Sequence, residues 1–308
     1  MKRWWAWIGA VAMAAAQAAS HVDDAGRKLD IGAPARRVVT LAPNLTELVY
    51  AVGAGPTLVG TVDTSNFPPE AQAVTRVGDY QRLDVERIVT LKPDLVLAWL
   101  SGNTSRELQQ LEAAGLRVFY LEPRHLADMP QALRRMGLLL GHTEEADRAA
   151  SSLEHELAAL RTSHADAAPV TVFFQVWSDP VMSLNDQHLV GEVIRLCGGR
   201  NVFGRLPQLV PRLSAESVLA ADPEVIVSAN DSSVPGARWQ RDPGHRAFDA
   251  WKRFPKLAAV RHGWLYSIPG DHISRQGPRI VEGVRAMCGA LDEVRRERGT
   301  PSTRLQRP

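Results

Sequence analysis

The sequence is 308 residues long, 45% hydrophobic and 23% charged, with 36 Lys and Arg against 34 Asp and Glu. That length allows two lobes with a core each, and a formal charge of +2 excludes a surface built to neutralise nucleic-acid phosphates. Lys2 and Arg3 sit in a leader expected to be removed, which leaves the mature chain near neutral.

Residues 1–19 read as a signal peptide: a basic start, an apolar run from Trp4 to Ala16 and a small-residue cleavage site at Ala16-Gln17-Ala18. The apolar run is too short to span a bilayer. No Cys follows the cleavage site, so the expectation is a periplasmic protein with no lipid anchor. Arg37 to Leu41 is a short apolar strand, and Asn44 to Glu47 has the spacing of a capping box ahead of the stripe Leu45, Leu48, Val49 and Val52. Leu58-Val59-Gly60 resumes a strand, followed by the loop Thr64 to Pro69. Asp84 caps a second short helix that closes before Pro93, and Leu95 to Trp99 is a buried-type strand. A helix centred on Leu108 to Ala114, a strand over Val118 to Leu121 and a helix from about Met129 to Leu140 complete residues 23–141, an N-terminal α/β lobe.

Thr143 to about Ala165 contains no Gly and no Pro. Ala146, Ala149, Ala150, Leu153, Leu157 and Leu160 form one narrow apolar stripe, with Thr143 as N-cap and Glu144 and Glu145 at the positive end of the dipole. Residues 142–166 therefore read as a connecting helix about 33 Å long, either a beam between two lobes or a long surface helix of one larger domain. An internal echo favours the beam. Leu83–Leu97 repeats as Leu213–Val227 at an offset of 130 in numbering, with Leu, Glu and Pro aligned and Asp84 answered by Ser214. Residues 169–296 form a C-terminal α/β lobe: a strand from Val170 to Val176, a helix from Leu189 to Cys197-Gly198-Gly199, the repeated unit, a strand from Gly263, a loop Gly270–Pro278 and a helix from Arg279 to about Arg295. Residues 297–308 read as a disordered tail. The fold class is α/β: two pseudo-symmetric lobes, one long rigid helix and a ligand cleft between the lobes.

Cys197 and Cys288 are the only cysteines. In an oxidising compartment they read as one disulfide, with two buried free thiols as the alternative. Nucleophile elbows, phosphate loops, zinc-protease helices and dinucleotide fingerprints are missing from the sequence, and the nine His show no ligand spacing. Asp271, His272 and Ser274 lie too close together in sequence to build a hydrolase triad. The chain does not read as an enzyme. Loops that should reach the cleft carry Thr64, Phe67, Tyr80, Trp99, Trp177, Met182 and the run Asp271–Arg275, a set suited to a large, partly flat, apolar ligand with polar edges. Burial in the lobe core is the favoured place for Trp177. Glu86 and Glu216, one per lobe, either complement their helix dipoles or dock on basic residues of a symmetric partner.

These residues resemble the periplasmic cobalamin-binding proteins that serve the vitamin B12 ABC importer, in the helical-backbone class of substrate-binding proteins. The similarity is densest in RVVTLAPNLTELVYAVGAG (Arg37–Gly55), VERIVTLKPDLVLAW (Val85–Trp99), VIRLCGGRNVF (Val193–Phe203) and around Cys288. The resemblance implies a monomer that binds cobalamin and delivers it to a permease dimer with its ATPase subunits. Glu86 and Glu216 would pair with permease arginines, Cys197 and Cys288 would form the family's disulfide, and Trp99, Asp271 and Arg275 would line the cleft. No catalytic cofactor and no protein-held metal are implied. Departures from the type member are Thr64 for a Tyr, Tyr80 for a Trp, Met182 for a Phe, and Val210 and His272 for two Trp. The pocket is thus less aromatic, fitted to cobalamin, a related corrinoid or another metal chelate, and a haem or ferric-siderophore receptor is the alternative. His272 is a candidate ligand for the bound metal, with packing or hydrogen bonding at the rim as the favoured role.

Overall fold

The computed structural model describes residues 20–79, 81–230 and 238–299. Four parallel strands form the first sheet, in the spatial order Leu58–Thr61, Val38–Thr40, Leu95–Trp99, Val118–Leu121. The second sheet runs Gly199–Asn201, Val170–Gln175, Val225–Asn230, Leu265–Pro269 in parallel, with the short antiparallel strand Gln240–Arg241 on its edge. Parallel strands buried on both faces read as unbroken apolar runs, which is how Leu95–Trp99 and Val170–Gln175 appear in the sequence.

Alternation along each strand sends side chains to two different cores. Val38, Leu95 and Leu97 point one way, and Val39, Val96 and Ala98 the other, where they meet Ile88, Leu108 and Leu111 from two outer helices. In the second lobe Val172 and Phe174 face inward, while Phe173 packs outward with Phe203, Phe248 and Trp251. The inward faces of both lobes belong to one continuous core, which passes through the connecting helix.

That helix spans Thr143–Ser163 and buries Ala146, Ala150, Leu153 and Leu157, four of the six stripe residues; Ala149 and Leu160 are half-buried. Its cap differs from expectation: His142 occupies the N-cap without a side-chain bond, and Thr143 is already helical. One half packs closely on the helix Asp128–Leu140. A Cβ added at Gly137 would lie 2.3 Å from the Ala146 Cβ, so the crossing requires a glycine. The other half reaches the closing helix Ile280–Gly299 through His164, whose Nε2 is 3.1 Å from Asp292 Oδ2.

The repeat at offset 130 is a structural repeat. Asp84 accepts a hydrogen bond from the Arg87 N–H, and Ser214 does the same for Ser217. Lys92 and Asp222, at matching positions before Pro93 and Pro223, both take positive φ, 47° and 39°. Proline disfavours the right-handed helical conformation for the residue before it, and each helix stops there. The next residue along is a carboxylate in both copies. Asp94 accepts from the Arg36 and Arg37 backbone N–H groups, and Glu224 accepts from the backbone N–H of Thr171. Each acid thus pins the start of its lobe's first sheet strand. Cys197 and Cys288 form a disulfide that joins the end of the Leu189–Leu196 helix to the closing helix. The closing helix runs to Gly299, past the expected end near Arg295. Glu297, read as the start of a tail, is helical and accepts from the Trp264 indole N–H at 2.7 Å.

Candidate ligand-binding site

In a parallel sheet the loops that leave the carboxyl ends of the strands build the ligand site. Strands ending at Thr40, Thr61, Trp99 and Leu121 in one lobe, and at Gln175 and Pro269 in the other, send their loops toward the space between the sheets. Two cavities lie there. One of about 240 Å³ is lined by Pro43, Asn44, Thr64, Trp99, Arg275 and their neighbours. Its companion of about 680 Å³ is more polar, bordered by Glu122, His125, Gln187, His188, Glu192 and Leu209 among others. Gln276 lines both, and its buried Oε1 has no hydrogen-bond partner among the described residues.

Between the lobes runs an ion cluster in which Glu47 is the central acid. Its carboxylate is almost fully buried and takes three hydrogen bonds from the opposite lobe: Arg275 Nη1 at 3.0 Å, Arg279 Nε at 2.9 Å and Arg279 Nη2 at 2.6 Å. Asp271 Oδ1 is 2.9 Å from Arg275 Nη2, and its Oδ2 accepts from Asn66 Nδ2 at 3.1 Å. Arg275 also donates to Asn66 Oδ1 and to the Thr64 carbonyl, while Arg279 lies 4.1 Å above the Phe67 ring. Burial works against the charge of Arg279, but the hydrogen bonds and negative field of Glu47, with Asp271, hold its pKa above the ordinary value. Two acids and two arginines cancel, so the cluster presents little net charge to a ligand.

The capping box expected at Asn44–Glu47 is not formed. Ala42 is the N-cap, Pro43 opens the helix Pro43–Ala51, and Glu47 turns across the cleft instead of back to its own helix. Asn44 donates to the Gln276 carbonyl, a further link between the lobes. The loop that presents Thr64, Asn66 and Phe67 is fastened from below by four fully buried hydroxyls. Thr46 Oγ1 lies 2.7 Å from those of Thr40 and Thr61 and 2.9 Å from Ser65 Oγ.

Of the residues expected at the cleft, Thr64, Trp99 and Arg275 line the smaller cavity, and Phe67 and Asp271 belong to the ion cluster beside it. Tyr80 lies outside the described residues. Met182 is half-buried and pairs with Trp177 across a two-residue hairpin, next to the exposed Leu209 and Val210. Trp177 corrects its expected core position. It is 61% exposed, with its indole N–H donated to the Asp179 carbonyl. The loop Gly270–Pro278 contains a short helix, Gly270–Ile273, and it turns His272 toward Glu282 of the closing helix, with 3.3 Å between Nε2 and Oε2. Burial lowers the pKa of this ring. Sequence reasoning missed Glu47, Asn66, Arg279 and Gln276. An acid in a capping position carries no mark of a partner more than 200 residues away, and Arg275 was the only arginine placed at the cleft.

Glu86 and Glu216 are exposed in the first turns of equivalent helices, each two residues after its cap. The Glu216 pKa is lowered, chiefly by its backbone hydrogen bond and by Ser214.

Residues 38–272 match the family model described as periplasmic binding protein. The chain belongs to the periplasmic binding protein family. Among relatives of this periplasmic binding protein, a vitamin B12-binding protein of Vibrio cholerae serotype O1 is 32% identical over 258 residues, 84% of this chain and 90% of the relative. One of the same description from Photorhabdus laumondii is 34% identical, over 83% of this chain and 88% of its own length. The crystal structure of the periplasmic vitamin B12 binding protein BtuF of Vibrio cholerae superposes with a TM-score of 0.74 at 32% identity, covering 85% of this chain and 98% of that one. The apo periplasmic heme-binding protein RhuT from Roseiflexus sp. RS-1, 24% identical with a TM-score of 0.72, covers 84% of this chain and 98% of its own and shares the fold.

Proposed function

We propose that this periplasmic binding protein captures cobalamin, or a related corrinoid, between its lobes and hands it unchanged to an ABC importer. The observation that carries this reading is a cleft at the carboxyl ends of both sheets, in a chain a third identical to proteins named for binding vitamin B12. The walls suit such a ligand. Trp99 offers an aromatic face, and Trp177, Met182, Leu209 and Val210 form an apolar rim on the second lobe. Neutral pairing within the ion cluster disfavours strongly anionic siderophore complexes. Thr64, Phe67, Tyr80, Trp99, Met182, Asp271, His272 and Arg275 remain the candidate ligand residues, His272 at the rim.

Delivery is assigned to Glu86 and Glu216, exposed acids at symmetry-related positions that would meet basic residues on the two halves of a permease dimer. The protein works as a monomer and carries out no catalysis. Calorimetric titration with cyanocobalamin, with haemin and a ferric siderophore as comparators, tests the ligand. One-to-one binding of cyanocobalamin at micromolar or tighter Kd is expected. Binding of haemin without cobalamin would overturn the reading. For docking, Glu86→Ala/Glu216→Ala should retain ligand affinity and lose cobalamin uptake in cells.

A further inference from the structure

His125 stands on the wall of the larger inter-lobe cavity, on the loop that leaves the strand Val118–Leu121. Its Nδ1 is 2.7 Å from Glu192 Oε1, a carboxylate contributed by the opposite lobe. The other oxygen, Oε2, accepts from the Leu126 backbone N–H at 2.8 Å, so the Glu192 side chain is fixed in place. A carboxylate only accepts, so Nδ1 carries the proton, and in the neutral ring the lone pair resides on Nε2. The imidazole is 58% exposed. A carboxylate that orients the ring through Nδ1–H is the arrangement found behind metal-ligating histidines.

The two other histidines near the cleft lack it. His188, on the same cavity, uses Nδ1 to accept from the Val190 N–H, which places its neutral proton on Nε2 and removes the lone pair there. His272 directs Nε2 at Glu282 on the closing helix.

On the reading that the ligand is a corrinoid, we infer that His125 Nε2 coordinates its cobalt on the exchangeable axial face, in place of water. The Co–O bond to water breaks, a Co–N bond to neutral imidazole forms, and water leaves; the Nδ1 proton stays shared with Glu192, and cobalt keeps its oxidation state. Imidazole is a good ligand for such ions. The site would therefore select corrinoids by their axial group, favouring those with labile water over those capped by cyanide.

The test is a titration of the full-length exported protein with aquocobalamin and with cyanocobalamin, followed by the visible and near-ultraviolet absorption of the corrin. Aquocobalamin should bind at least tenfold tighter than cyanocobalamin, and its bands should move to those of an imidazole-ligated cobalamin. In His125→Ala the band shift should vanish and the preference fall to within about twofold of unity. Glu192→Gln, which keeps an acceptor for Leu126, should weaken the preference and leave a shift. Bound aquocobalamin with the spectrum of the water-ligated form, or an unchanged shift in His125→Ala, would overturn the assignment while leaving the corrinoid reading intact. Failure of both cobalamins to bind would overturn that reading and this inference with it.

Discussion

Replacing Glu47 by Ala should loosen the whole molecule, because one buried carboxylate joins the two lobes. The substitution removes three charge-assisted hydrogen bonds and leaves the guanidinium groups of Arg275 and Arg279 without their shared acceptor. Those side chains are only 16% and 12% exposed, and of the two acids of the cluster Asp271 remains. Breaking a buried ion pair by removing one partner costs about 3–5 kcal/mol. Partial solvent access to both arginines places this case at the lower end, about 3 kcal/mol. At roughly 2–4 °C per kcal/mol for chains approaching this size, Tm should fall by about 6–12 °C. Scanning calorimetry of the ligand-free protein reads this directly. Glu47→Met/Arg279→Met, which removes an anion and a cation together, should regain about 1 kcal/mol or more over Glu47→Ala. A Glu47→Ala protein that melts within about 1 °C of wild type would refute the argument that this cluster is desolvated and ties the lobes.

Other consequences follow from single groups. Thr46→Val keeps shape and removes the hydroxyl shared by Thr40, Thr61 and Ser65, so urea unfolding should show a loss of about 1–3 kcal/mol. Cys197→Ala/Cys288→Ala opens a crosslink of 91 residues in sequence separation, worth about 4–5 kcal/mol in chain-entropy models, and limited proteolysis should then cut the second lobe first. Burial lowers the pKa of His188, so the unfolded chain binds a proton that the folded one resists. Stability should therefore fall as pH drops below about 6.5 and through the folded value. His188→Asn keeps an acceptor for the Val190 N–H and should flatten the urea midpoint between about pH 7 and pH 5. Gln276→Leu should change Tm little, since the buried Oε1 has no partner among the described residues and no hydrogen bond is lost.

Local chemistry written in the sequence determined much of this protein. Asp84 and Ser214 cap their helices, Pro93 and Pro223 end them, and the repeat they define predicts two lobes of one design. The alanine- and leucine-striped run from Thr143 could only be a helix with one narrow buried face. Signals of this kind act within a few residues, so they survive reading in one dimension. The tertiary structure decided where polar side chains spend their bonds. Glu47 had a plausible partner within its own helix, and it took Arg275 and Arg279 instead, because two guanidiniums from the other lobe satisfy a desolvated carboxylate better than one backbone N–H. Trp177 reads as core by composition, yet the Trp177–Met182 hairpin carries it past the carboxyl end of the strand Val170–Gln175 into solvent. Nothing local in the sequence sets His125 apart from the other eight histidines. Its pairing with Glu192 exists only because a strand-end loop of one lobe and the first turn of the helix Leu189–Leu196 of the other are brought face to face across a cleft that no local pattern encodes.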